Sequence, residues 1–287
     1  MPMSSPDVPT IALPEFDQII DLVGNPYNSD LSLYLNGNQF MVMADLLSAF
    51  RALYPHYRHI YYETLPPGLL ADQIERAGEI RIGALTLTVL ADVYTGGRAE
   101  MERLQPYLLA PRPYAQNRLA LVVAPGNPLR ISGFHDLVQP HLKIAMPNPR
   151  TEGIARLAQE AIRRALDESA VQRVFEEKVR DGTTRLTTVH HRETLFWLAD
   201  GRVDVGVVWQ TEAEYARRQQ QPIDVIDLSG WQDNPIGQYW AAGLKAAPHP
   251  EARDAFLAFL NSKTSNHVYA SYGFTPVNPQ DASYAGF

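Results

Sequence analysis

Strand-like and helix-like patterns alternate along this chain from residue 31 onward. Leu31–Leu35 is a short apolar run typical of a buried strand, and the apolar residues between Leu46 and Tyr54 have helical spacing. A second strand pattern, His59–Glu63, precedes a second helical pattern between Leu69 and Ile74. This alternation predicts an α/β fold, in which helices cover both faces of a mostly parallel sheet.

The same alternation continues to the end of the chain. The further strands that we predict are Ile80–Ala84, Asp92–Tyr94, Leu119–Ala124, Leu142–Ala145, Val203–Trp209 and Gln238–Leu244. The further helices that we predict are Leu85–Leu90, Ile154–Leu166, Glu193–Ala199 and a closing pair that starts at Pro250. We expect Thr151 to cap the helix that starts near Ile154, and Gly201 to end the helix Glu193–Ala199. The first 30 residues are rich in Pro, Asp and Asn, with one short apolar run at Phe16–Val23. We therefore predict an extended leader that contains a single helical turn.

Composition excludes several classes of protein. With 287 residues, of which 45% are hydrophobic, the chain can fill two cores. The net charge is -7 and the basic residues are scattered, so we expect no nucleic-acid partner. The absence of cysteine excludes disulfides, thiolate metal sites and a cysteine nucleophile.

The N-terminus bears on localisation. Residues 1–9 contain neither a basic region nor an apolar core, and no run of about 18 apolar residues occurs anywhere. If the protein is periplasmic, its signal peptide has been removed, whereas a native Met1 would indicate a cytoplasmic protein.

Catalytic fingerprints such as G-x-S-x-G, H-E-x-x-H, the P-loop and G-x-G-x-x-G are absent from the sequence. We therefore expect that the protein is not an enzyme.

Six segments, in their order along the chain, resemble those of ABC-transporter solute-binding proteins, in particular the molybdate/tungstate-binding group. They are Ala91–Tyr94, Tyr114–Pro128, Ile144–Pro149, Gly201–Trp209, Pro248–Ser262 and Tyr272–Val277. The resemblance extends over roughly residues 31 to 277.

This resemblance implies a type II periplasmic binding protein fold, with two lobes of mixed sheet joined by a two-strand hinge. Lobe one would be residues 1–114 plus 238–287, lobe two would be residues 115–237, and the ligand cleft would lie between them. The implied function is that of a periplasmic, monomeric solute-binding protein that uses no cofactor. It would capture a small oxyanion, with molybdate or tungstate favoured, and deliver it to an ABC permease in the membrane.

The resemblance also places the ligand at loops that follow the sheet strands. Backbone N–H groups at helix starts and neutral hydroxyls can surround an anion there without a lysine or arginine. The candidate ligand-binding residues are Asn36, Asn38, Gln39, Pro67, Gly68, Thr95, Gly96, Arg150, Thr151, Glu152, Arg192, Glu193 and Trp209.

Some of these residues depart from the molybdate group. The first two loops carry Asn36–Gln39 and Pro66–Gly68 where relatives have Ser or Thr, and Trp209 replaces a tyrosine. Glu63, Glu152 and Glu193 would compete with an anion for the field of a helix N-terminus. Two alternatives therefore stay open. One is a sensor or carrier of the same fold for a metal ion, a zwitterion or a small organic molecule, inside the cell or outside it. The other is an α/β enzyme that reuses the fold.

Two adjacent pairs of residues have competing interpretations. His190 and His191 carry imidazoles that could bind zinc or nickel, but neighbours in an extended segment point to opposite sides, so we favour a cleft-edge or surface role and assign no metal ligand. Tyr239 and Trp240 are expected to pack at the hinge rather than contact the ligand.

Overall fold

The computed structural model describes residues 10–11, 21–188, 192–228 and 230–277. The chain forms two compact units, one of Met1–Ala115 with Gln238–Phe287 and the other of Gln116–Gly237. Two strands, Arg112–Val123 and Ile236–Gly243, carry the chain from the first unit into the second and back.

Fourteen strands and ten α-helices are present in the described ranges. The strands are β1 Thr10–Ile11, β2 Leu22–Val23, β3 Leu31–Asn36, β4 Ile60–Leu65, β5 Glu79–Ile82, β6 Leu85–Thr88, β7 Val93–Gly96, β8 Arg112–Val123, β9 Ile144–Met146, β10 Thr184–Leu186, β11 Val205–Trp209, β12 Asp224–Ile226, β13 Ile236–Gly243 and β14 Thr275–Pro276. The helices are α1 Met43–Leu53, α2 Pro67–Glu75, α3 Arg98–Arg103, α4 Gly153–Ala165, α5 Glu168–Gln172, α6 Lys178–Arg180, α7 Glu193–Ala199, α8 Gln210–Arg218, α9 Pro250–Leu260 and α10 Lys263–Ser271. A 3-10 helix, Gly37–Val42, leads directly into α1.

The main sheet of the first unit is mixed. Its strands lie in the order β13, β7, β3, β4 and β2. Strands β7, β3 and β4 are mutually parallel, while β13 and β2 run antiparallel to their neighbours. All six residues of β3 are buried, as expected for a central strand that is covered on both faces. Helix α1 packs on helix α9 through Phe50, whose ring lies edge-on against Phe256 and Phe259.

The sheet of the second unit is also mixed. Strands β10, β9 and β11 are parallel, and β8 lies antiparallel between β11 and β12. Helix α4 buries Ile154 and Ile162 together with three alanines, a pattern that fits its predicted amphipathic face. At Gly206 in β11, a Cβ would lie 2.0 Å from the side chain of Thr194 in α7. Only glycine permits this close approach of helix and strand.

The structure confirms the predicted α/β alternation and corrects three details. Leu85–Leu90 is not a helix, because Leu85–Thr88 forms an antiparallel hairpin with β5 around Gly83. Thr151 does not cap α4; the residue at that position is Glu152. Leu22–Val23 is a short strand rather than part of a helical turn, and Phe16 lies outside the described residues. Gly201 has the left-handed φ of +68° expected of a residue that ends a helix, which confirms its predicted role.

Candidate functional site

The first unit brings three of the predicted loops to one edge of its sheet. Because β3, β4 and β7 are parallel, their carboxyl ends lie together, and each strand is followed at once by the start of a helix. The first N–H groups of a helix have no partner within that helix, so they are available to an incoming acceptor.

Asn36 and Thr95 form a reciprocal pair at this edge. The backbone N–H of Asn36 donates to Oγ1 of Thr95 at 2.9 Å, and the same hydroxyl donates to Oδ1 of Asn36 at 2.6 Å. Both residues are buried. The pair ties the end of β3 to the end of β7 and leaves the edge electrically neutral at this point.

Asn38 and Gln39 lie in the first turn of the 3-10 helix and are almost fully buried. The amide of Asn38 donates from Nδ2 to the hydroxyl of Tyr239 at 2.5 Å and accepts at Oδ1 from Gln39 Nε2 at 3.4 Å. Oε1 of Gln39 is buried and has no hydrogen-bond partner among the described residues. Tyr239 was predicted to pack at the hinge, and the structure adds this contact with a candidate site residue.

Pro67, Gly68 and Gly96 shape the other two loops of this edge. Pro67 is the first residue of α2, a position where a missing N–H costs nothing, and Gly68 is half-buried behind it. The Tyr94 hydroxyl donates to the carbonyl of Pro67 at 2.9 Å. A Cβ on Gly96 would lie only 2.6 Å from that hydroxyl, so this contact requires glycine.

The second unit has a similar edge, but carboxylates occupy its helix starts. Strands β9, β10 and β11 are parallel and are followed by α4, α7 and α8. Glu152, Glu193 and Glu212, one in the first turn or at the cap of each of these helices, are all buried. The expected acidic character of this region is therefore present in the folded protein.

Each of these carboxylates is hydrogen-bonded to its own unit. Glu152 accepts from the N–H of Asn148 at 3.1 Å and from the hydroxyl of Thr187. Glu193 accepts from the N–H of Thr188 at 2.8 Å, and Glu212 from that of Trp209 at 3.3 Å. Negative charge at a helix N-terminus is stabilised by the helix dipole, so these carboxylates use part of the field that an anion would otherwise meet.

The remaining predicted residues of the second unit differ in exposure. Arg150 is exposed, and its backbone N–H donates to Asn148 Oδ1 at 3.0 Å, whereas Arg192 is buried. Oγ1 of Thr151 is buried and finds no hydrogen-bond partner in the described part of the chain. Trp209 is 7% exposed, and its ring lies so close to Gly237 that a Cβ there would be 2.5 Å away.

The metal hypothesis for the two adjacent histidines stays a hypothesis. His190 and His191 lie outside the described residues. Among the residues that are described, His, Asp and Glu form no group of three or more that could hold a metal ion. Within the same ranges, no helix has the length and apolar character needed to cross a bilayer.

Sequence reasoning missed several contacts of these two edges. Asn148 and Thr187 connect the loops after β9 and β10, since Asn148 donates to Thr187 through both its backbone N–H and its side chain. Asn148 belongs to the Ile144–Pro149 segment that carries the resemblance, whereas no sequence signal pointed to Thr187. Nothing local in the sequence indicates the contact between Asn38 and Tyr239, because 201 positions separate the two residues.

A family model described as "bacterial extracellular solute-binding protein" matches residues 31–275. The chain belongs to this family. Its members are solute-binding proteins of ABC importers and are not enzymes. This finding confirms the expected class of function. No curated protein sequence matches the chain significantly.

Solved structures support the same fold for this solute-binding protein. The sulfate-binding protein SubI of Mycobacterium tuberculosis H37Rv has a TM-score of 0.69 and 18% identity, over 88% of this chain and 88% of its own. The periplasmic molybdate-binding protein of Azotobacter vinelandii has a TM-score of 0.63 and 14% identity, over 85% and 98%. Iron-bound HitA of Pseudomonas aeruginosa has a TM-score of 0.66 and 16% identity, over 88% and 87%. The predicted type II periplasmic binding protein fold is thereby confirmed, while the three named ligands differ.

Proposed function

We propose that this solute-binding protein captures a small oxyanion, with molybdate or tungstate favoured, and delivers it to an ABC permease. The observation that carries the proposal is the neutral edge of the first unit. There, Asn36, Asn38, Gln39 and Thr95 are buried and uncharged. Amide and hydroxyl donors of this kind, with helix N–H groups beside them, can replace the water around an anion.

The candidate residues take separate parts in this proposal. The second hydrogen of Asn38 Nδ2 and the N–H groups near Gly68 and Gly96 would donate hydrogen bonds to oxyanion oxygens. Thr95, whose hydroxyl proton goes to Asn36, would hold that residue in place beside them. The residues of the second unit, from Arg150 to Glu152 with Arg192, Glu193 and Trp209, would line the cleft that the family resemblance predicts. We also propose a periplasmic location and a monomeric state, in keeping with an extracellular binding family.

Thermal unfolding with a panel of anions tests this proposal. Molybdate, tungstate, sulfate and phosphate should be compared, because binding at 100 times the dissociation constant stabilises the folded state by about 2.7 kcal/mol. Asn38→Ala should weaken the response, whereas Asn266→Ala, the same change at a partly exposed asparagine of helix α10, serves as a control. If none of the four anions raises the melting temperature, the oxyanion assignment is wrong.

A second candidate ligand is favoured by the three buried carboxylates of the second unit. A ligand with a cationic group or several N–H donors, such as a small zwitterion, would gain from Glu152, Glu193 and Glu212, whereas an oxyanion would be repelled. This candidate corresponds to a carrier or sensor of the same fold for a different small ligand.

One substitution distinguishes the two candidates. Glu152→Gln keeps the size of the side chain and removes its charge. Affinity for an oxyanion should then rise, while affinity for a cationic or zwitterionic ligand should fall. Isothermal titration with molybdate and with a set of amino acids, using wild-type and variant protein, gives the sign of the effect. An unchanged affinity for every ligand that binds would place Glu152 outside the site.

A further inference from the structure

A hydrogen bond inside the first unit ties a candidate ligand residue to a strand far along the sequence. Asn38 Nδ2 donates to the hydroxyl of Tyr239 at 2.5 Å, and both residues are 2% exposed. The other end of the same amide accepts from Gln39 at 3.4 Å. Because both ends of the Asn38 amide have partners, the plane of the amide group is fixed, and Tyr239 supplies the shorter of the two contacts.

The ring of Tyr239 is itself held in place by neighbouring aromatic residues. It packs edge-on against Phe274, with ring centroids 5.6 Å apart, and lies 6.2 Å from the ring of Tyr114. Strand β13 also pairs with β7, where Trp240 lies opposite Gly96, so the backbone next to Tyr239 is joined to the candidate site. A side chain restrained in this way can hold its hydroxyl at a constant position.

We infer that Tyr239 is a positioning residue for the ligand site, and that it acts by orienting the amide of Asn38. The inference rests on the proposed function, in which Asn38 contacts the ligand. A preoriented donor loses less conformational freedom when it binds. Loss of the Tyr239 hydroxyl should therefore weaken binding without any change in a group that touches the ligand.

Tyr269 provides a matched control in the same aromatic cluster. Its ring packs against the same two neighbours, at 5.3 Å from Tyr114 and 5.4 Å from Phe274. Its hydroxyl is buried and interacts with the Tyr114 hydroxyl, not with Asn38. Tyr239→Phe and Tyr269→Phe thus remove the same atom from one aromatic cluster, and only the first substitution breaks a hydrogen bond with Asn38.

Affinity for molybdate, measured by isothermal titration well below the melting temperature of every variant, is the main test. Tyr239→Phe should weaken binding about fivefold to tenfold, as expected when one hydrogen bond is lost, and Tyr269→Phe should leave it unchanged. In the background Asn38→Ala, Tyr239→Phe should have no further effect, because no amide remains to be oriented. Equal losses in the two phenylalanine variants, or an undiminished loss in the double variant, would overturn the inference.

A second measurement separates this inference from the proposed ligand. The side-chain amide signals of Asn38 in ¹⁵N–¹H spectra of the free protein should shift in Tyr239→Phe and stay in place in Tyr269→Phe. If molybdate fails to bind the wild-type protein, the molybdate assignment fails, and these signals still decide the role of Tyr239. Signals of Asn38 that do not respond to Tyr239→Phe would refute the positioning role.

Discussion

Glu63 is a buried acid in the first unit whose replacement should stabilise the protein. Its side chain has no exposed surface. Oε1 accepts hydrogen bonds from the Tyr61 hydroxyl at 2.8 Å and from Gln73 Nε2 at 3.2 Å. Oε2 is buried and has no hydrogen-bond partner in the ranges that the structure describes. Burial raises the pKa of Glu63 from 4.5 to about 7, although the bonds from Tyr61 and Gln73 oppose the increase.

This shift makes the free energy of unfolding depend on pH. The folded state keeps a proton on Glu63 up to about pH 7, whereas the unfolded chain loses it near pH 4.5. The stability of the protein therefore decreases as the pH rises from 4.5 to 7, and the full cost is present above 7. The difference between the two pKa values, at 1.36 kcal/mol per pH unit, corresponds to about 3 kcal/mol.

Glu63→Gln should remove this cost. The glutamine retains an oxygen that can accept from Tyr61 and Gln73, and it never ionises. We expect the variant to match the wild type near pH 4.5 and to exceed its free energy of unfolding by about 3 kcal/mol at pH 8. The first unit should then melt roughly 6 to 12 °C higher at pH 8.

Urea unfolding at pH 4.5, 6 and 8, followed by circular dichroism, measures the effect. Glu176→Gln, a change at an exposed glutamate, is the control. It should change the free energy of unfolding by the same small amount at all three pH values. A gain for Glu63→Gln that is independent of pH, or no gain at pH 8, would refute the reasoning, because the predicted effect comes entirely from ionisation.

Substitutions at three further positions test the edge of the first unit and its support. Thr95→Val should lower the free energy of unfolding by about 1–3 kcal/mol, because it leaves the buried N–H and Oδ1 of Asn36 without a partner. Thr95→Ser keeps the hydroxyl and should lower the free energy of unfolding by less. Urea titration compares the two variants. Gly96→Ala should cost about 1–3 kcal/mol in the same assay, because its Cβ would meet the Tyr94 hydroxyl, and an unchanged midpoint would show that this ring moves freely. Asp92→Ala should lower the free energy of unfolding more than either Thr95→Val or Gly96→Ala, because the buried carboxylate accepts from two backbone N–H groups and one imidazole ring. A decrease in the free energy of unfolding below about 1 kcal/mol would contradict this expectation.

The alternation of strands and helices could be predicted because it depends on local apolar spacing. The predicted helix Glu193–Ala199 agrees with α7 at both ends, where Gly201 supplies the left-handed residue after the helix. The segment Leu85–Leu90 was misread although it carries a strand signal. Leu85 and Leu87 alternate with threonines, and Gly83 marks the turn of a hairpin. Pairing with β5 decided its conformation.

The composition of the candidate site was only partly predictable. The family resemblance placed candidate residues in the loops after β3, β4 and β7, and the parallel strands of the structure bring these three loops to one edge of the sheet. The bonds within that edge were not predictable, since Asn36 and Thr95 are 59 positions apart and Asn38 and Tyr239 are 201 apart. Neither pair shares a local motif, so the folded sheet is required to show them.

The contrast between the two edges also explains why family membership does not determine the ligand. The scaffold is common to neighbours that are named for sulfate, molybdate and iron. In this chain the first unit offers neutral amides and hydroxyls, whereas the second has carboxylates at the starts of three helices. Each of those carboxylates is bonded within its own unit, which lowers its repulsion of an anion but does not abolish its charge. Under the proposed oxyanion function, the charge of Glu152 would oppose binding, and Glu152→Gln measures that contribution directly.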